Sequence, residues 1–159
     1  MIWIALTLCT VSFHALSAEE NPSIEECQKR LDATGWTFAS IQSQPEELEG
    51  FKVKSPKGPK VRLTSPSGTK MSYMEWKPSK RVETPDKGKL KAIEGVSGPI
   101  FERVTEAAKE SLIKVELAAF SVEHVIIFEA THKKKSRQEI MEESVGVLTE
   151  LLKQIASKN

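Results

Sequence analysis

Residues 51–76, FKVKSPKGPKVRLTSPSGTKMSYMEW, decide how this chain folds. Within them Ser55-Pro56-Lys57-Gly58-Pro59-Lys60 and Ser65-Pro66-Ser67-Gly68-Thr69-Lys70 repeat the pattern S-P-x-G-x-K. Proline at the second position presets φ and glycine suits the fourth, so each repeat predicts a type I turn. The segments around the turns, Phe51 to Lys54, Lys60 to Thr64 and Lys70 to Trp76, alternate apolar and polar residues with period two. Alternation separated by turn-sized gaps predicts a three-stranded antiparallel meander.

Side chains alternate across a strand, so the two faces of the meander follow directly. Phe51, Val53, Val61, Leu63, Met71 and Tyr73 share the face expected to be core. Lys52, Lys54, Lys60, Arg62, Lys70, Ser72, Met74 and Trp76 share the other, which is basic.

Upstream, Ser23-Ile24-Glu25-Glu26 has the form of a capping box and Gly35 that of a stop, predicting a helix from Ile24 to about Ala33. Its spacing puts Ile24, Cys27 and Leu31 on one face, which makes Cys27 a small buried hydrophobe. Trp36 to Ile41 reads as a strand and Gln42 to Gly50 as a loop. Downstream, residues 77–98 carry two prolines, three glycines and an excess of basic side chains; they read as a long basic loop, with a short strand at Lys89 to Ile93. Pro99 suits the first turn of a helix, and apolar residues from Ile100 to Val115 recur at helical spacing, so a helix to about Ala118 is expected. Residues 112–120 also alternate well enough to form a strand. Glu123 to Thr131 reads as a central strand, apolar on both faces. Ser136-Arg137-Gln138-Glu139 opens a closing helix with Ile140, Ser144, Val147, Leu148, Leu151, Leu152 and Ile155 along one side. This order predicts a small single-domain α+β protein: an antiparallel sheet, the meander plus one or two further strands, packed with two or three helices.

All charged side chains lie beyond Ala18, although the chain has 159 residues with Lys+Arg 23 and Asp+Glu 22. Residues 1–18 therefore read as a separate signal segment: the apolar run IWIALTLCTVSFHAL, then small residues, with cleavage near Ser17/Ala18. The run is shorter than the ~20 residues that span a bilayer, so no stable membrane span is expected once it is removed. The mature chain, residues 19–159, is expected to be secreted or periplasmic, with Cys9 lost and Cys27 left without an internal disulfide partner.

Templates for chemistry fail on particular residues. Gly95-Val96-Ser97-Gly98-Pro99 ends in proline where a nucleophile elbow needs glycine, and Gly88-Lys89 has Glu83 where a phosphate loop needs glycine. His124 and His132 stand about 26 Å apart on one strand at ~3.3 Å per residue, too far to share a metal ion. No catalytic residue, metal ligand or cofactor is assigned.

Charge, in contrast, is blocked: residues 19–50 hold two basic and eight acidic side chains, whereas residues 52–91 hold twelve basic and three acidic. The reading is a non-enzymatic binding domain whose basic meander face, Lys52, Lys54, Lys60, Arg62 and Lys70 with Trp76 at its end, contacts an anionic macromolecule or acidic protein surface. The basic face could also meet the acidic N-terminal segment, within one molecule or between copies. Two other classes stay open: a small hydrolase or transferase with Ser97 and a histidine under the 77–98 loop, and a structural subunit of a surface assembly linked through Cys27.

Overall fold

A computed structural model of the chain describes residues 21–32, 36–38, 48, 50–54, 60–78, 88–105, 112–121 and 124–157. The expected signal segment, the first S-P-x-G turn and most of the 42–50 loop lie outside the described residues. The elements in chain order are α1 (Ile24–Asp32), β1 (Trp36–Phe38), β2 (Lys52–Lys54), β3 (Val61–Thr64), β4 (Lys70–Pro78), β5 (Lys89–Ala92), β6 (Ile100–Val104), β7 (Ile113–Phe120), β8 (Val125–His132) and α2 (Arg137–Ala156).

The second S-P-x-G turn closes with Gly68 N–H donating to the Ser65 carbonyl at 3.0 Å. Gly68 has φ +87°, a region that costs glycine nothing. β2, β3 and β4 are successive antiparallel neighbours, in register Lys54↔Arg62 and Arg62↔Ser72. The full sheet has eight strands in the order β2-β3-β4-β8-β7-β6-β5, with β1 pairing the far end of β4. β4 is long enough to hold β3 along its first half and β1 along its last three residues.

The sheet is larger than the four or five strands expected, chiefly because the segment that opens at Pro99 starts as a strand and not as the expected helix. Residues 100–104 and 113–120 are strands, and the Pro99 carbonyl accepts from Phe120 N–H at 2.9 Å, so this proline starts a ladder. Both strands bury side chains on both faces: Val115, Leu117 and Ala119 point one way, Ala118 and Phe120 the other. Apolar residues at both parities contain the three- and four-residue spacings of a helix as well. In the 77–98 region the expected short strand is β5, Lys89–Ala92, and β4 runs on to Pro78; residues 79–87 lie outside the described residues.

The two helices cover opposite faces. α2 lays Ile140, Val147, Leu148 and Leu151 on a core with Val61, Leu63, Met71, Val115, Leu117, Ile126 and Phe128. Truncating one such leucine to alanine costs about 2–5 kcal/mol, because the cavity left behind collapses only in part. α1 lays Cys27 and Leu31 on a second cluster with Phe101, Ala118, Phe120, Val125 and Ile127. β8 is central and feeds both clusters, as its apolar run requires. The Ser136 side chain accepts from Glu139 N–H and the Glu139 side chain accepts from Ser136 N–H, a complete capping box on α2. On α1, Ser23 Oγ accepts from Glu26 N–H at 3.2 Å.

Candidate anion-binding face

Register decides what stands beside what on the α1 side of the sheet. One lateral row of Cα partners runs Lys54, Arg62, Ser72, Glu129, Glu116 across β2, β3, β4, β8 and β7. The adjacent row runs Lys52, Thr64, Lys70, Thr131, Lys114. Directly opposed side chains in such rows have Cβ atoms about 4.5–5.5 Å apart.

The two ends of these rows differ in charge balance. On β8 and β7 the carboxylates are matched: Glu129 Oε2 accepts from Lys60 at 2.6 Å, Glu129 Oε1 lies 3.5 Å from Lys114, and Glu116 pairs with Lys114 at 2.5 Å and Arg103 at 3.2 Å. Burial opposes ionisation of Glu129, yet Lys60 and Lys114 outweigh it and hold the carboxyl below its usual range. On Lys114 burial is outweighed in turn by Glu116 and Glu129, which raise its value. On β2, β3 and β4, Lys52, Arg62 and Lys70 are exposed, and none of them is ion-paired among the described residues. The half-buried hydroxyl of Thr64 stands between Lys52 and Lys70, that of Ser72 beside Arg62, and that of Thr131 beyond Lys70.

The structure therefore divides the six residues expected to form the site. Lys52, Arg62 and Lys70 lie together on the outer surface, and Lys54 occupies the register position opposite Arg62. Lys60 is there too, but its ammonium is engaged by Glu129. Trp76 departs from the expectation: it is half-buried and packs against the α1 cluster, at the end of β4 farthest from Lys70. Lys114, Glu116 and Glu129 were not singled out from sequence. The signal for the first two was the period-two alternation of residues 112–120; Glu129 needed the β4–β8 register.

Ser97 and the two histidines named for a hydrolase share no hydrogen bond among the described residues. A cavity of about 780 Å3 between α1, the turn before β6 and the end of α2 includes Ser97 in its lining, and neither histidine. The His124 imidazole is buried with its Nδ1 against the buried Glu75 carboxyl, while His132 Nδ1 accepts from Lys134 and Lys135 N–H groups at 3.0 and 2.9 Å. Cys27 is fully buried, and burial pushes its thiol up to about 11, so it is neither a ready nucleophile nor placed for a bond to another chain. Among the described residues no group of three or more His, Cys, Asp or Glu side chains is arranged to hold a metal ion, and no helix is long and apolar enough to cross a membrane. Protein-family models, curated proteins and solved structures were all compared with the chain, and none matches it.

Proposed function

We propose that this protein acts by binding, and that the outer surface of β2, β3 and β4 receives an anionic partner after the chain has been exported to a secreted or periplasmic location. Lys52, Arg62 and Lys70 are the leading contacts, Lys54 and Lys60 the secondary ones. The observation that carries the reading is the exposure of three cations on adjacent strands, with hydroxyl groups beside them and no pairing carboxylate among the described residues. Like charges gathered on one sheet surface destabilise it, so the arrangement has a cost that an anionic partner would offset. Strands also hold their side chains at set spacings, which lowers the ordering cost of binding. Export rests on the apolar, uncharged character of residues 1–18 and on the small residues that end it.

Retention on an immobilised sulfated polysaccharide, followed as salt is raised, tests the reading. Each phosphate- or sulfate-type contact contributes roughly 0.7–0.9 to the slope of log affinity against log salt. Replacing Lys52, Arg62 and Lys70 by Glu should abolish retention, whereas Lys60→Glu should weaken it less because that ammonium already serves Glu129. Equal elution of the native protein and the triple variant would refute an electrostatic site on this face.

A further inference from the structure

The cavity at the other end of the sheet has a construction of its own. Its volume of about 780 Å3 lies within the roughly 300–1,000 Å3 typical of small-molecule sites. The half-buried Val96 and Leu152 make an apolar floor, backed by Ile100 and Phe120 of the buried core. Arg30 from α1 and Lys153 from α2 bring positive charge to the walls, against one carboxylate, Glu26, among the described residues lining it.

The two cations are held differently. The Arg30 guanidinium donates to the Ser121 carbonyl at 2.5 Å and stands 5.3 Å from the centroid of the Phe120 ring, so its charge is fixed over the floor. Lys153 has a side chain 71% exposed, and its ion-pair partner Glu150 is 3.9 Å away. A contact that long at the surface restrains an ammonium weakly, which leaves Lys153 able to swing over the mouth.

We propose that this cleft binds a single-chain amphiphile with an anionic head. The alkyl chain lies against Val96 and Leu152, and the head group sits beside Lys153 with Arg30 adding a second positive charge. An apolar floor selects a tail and a cationic rim selects the sign of the head, the usual division of labour in small-molecule sites. The site is separate from the basic sheet face, because β8 carries Val125 at the cleft end and Thr131 beside Lys70 at the other.

Calorimetric titration of the purified protein with dodecanoate, and with dodecyl maltoside as an uncharged head on the same tail, tests this below the micelle concentration of each. Dodecanoate should bind saturably with one-to-one stoichiometry and more tightly than the maltoside. Lys153→Glu should weaken dodecanoate about tenfold, the effect of losing and reversing one partly exposed charge contact. Ala156→Trp, at an exposed position on the cavity wall, should abolish binding of both probes by filling the space. Both variants should melt with the native protein; if Ala156→Trp melts early, Lys153→Glu alone carries the test. Absence of saturable dodecanoate binding, equal affinity for the two heads, or dodecanoate affinity unchanged in Lys153→Glu would each overturn the proposal. Glutamate in place of Lys52, Arg62 and Lys70 should leave dodecanoate binding unchanged.

Discussion

Lys135 Nζ lies 2.7 Å from Glu143 Oε2, and this pair fastens the β3–β4 hairpin to the first turns of α2. The hydroxyls of Ser67 and Thr69 donate to the two Glu143 oxygens at 2.7 and 2.5 Å, and the same two hydroxyls accept from Lys135 at 2.6 and 3.0 Å. The hairpin that carries Arg62 and Lys70 is thereby held at its turn by a network of charge-assisted hydrogen bonds. A serine beside a lysine invites comparison with a nucleophile and its base. Here the ammonium commits its donors to Ser67, Thr69 and Glu143, and a base needs a lone pair, so the cluster acts as a fastening.

Stability should fall in acid through this network. Burial alone would raise the Glu143 carboxyl, but donation from Lys135, Thr69, Ser65 and Ser67 outweighs it and brings the value from 4.5 down to about 2. A carboxyl depressed in the folded state adds stability above its unfolded value and loses it as pH falls through the folded one. Melting temperature should therefore decline between about pH 4.5 and 2. Glu143→Gln should melt lower than the native protein near pH 7, with the difference closing toward pH 2. A difference that stays constant across that range would contradict the assignment.

Gly88→Ala should destabilise the fold by about 1–3 kcal/mol, the usual range for forcing extra volume into a packed site. A Cβ at Gly88 would stand 2.4 Å from Arg103 Cγ and 2.8 Å from Nε, so the arginine stem itself must move. Moving it breaks the Arg103–Glu116 pair, whose side chains are only 7% and 11% exposed. Urea unfolding measures the loss. A midpoint equal to the native one would show that Arg103 has room to shift.

Gln28→Ala should expose the edge of the sheet at β5. The Gln28 side chain accepts from Leu90 N–H at 2.8 Å and donates to the Gly88 carbonyl at 3.2 Å, pairing the outer backbone of β5 as a neighbouring strand would. Losing both bonds should cost roughly 1–3 kcal/mol, since each contributes about 0.5–1.5. Faster amide exchange at Leu90, read by hydrogen–deuterium exchange, should accompany it, together with concentration-dependent association of the unpaired edge. Unchanged exchange at Leu90 would show that the side chain does not protect the edge.

Much of the fold is legible in short stretches. The Ser65–Gly68 turn, the Ser136 cap, the α1 face with Cys27 and Leu31, and the division of the meander into core and basic faces each depend on a few neighbouring residues. The candidate site was legible in part for the same reason: alternation places Lys52, Arg62 and Lys70 on one surface whatever packs behind them. The engagement of Lys60 by Glu129 was not legible, because the partners are 69 residues apart and meet through the lateral order of β3, β4 and β8.

The turn at Ser65–Gly68, the caps, the period-two segments and the concentration of positive charge in residues 52–91 follow from backbone conformations and spacings within one or two turns of chain. Packing of the whole chain was needed to make residues 100–104 and 113–120 strands, to set Trp76 against the α1 cluster, and to let the acids of β7 and β8 neutralise one end of the charged rows while leaving Lys52, Arg62 and Lys70 unmatched among the described residues. A segment buried on both faces has no single apolar stripe to betray its period, and a charge is paired or unpaired according to the strand lying beside it, which local sequence does not specify.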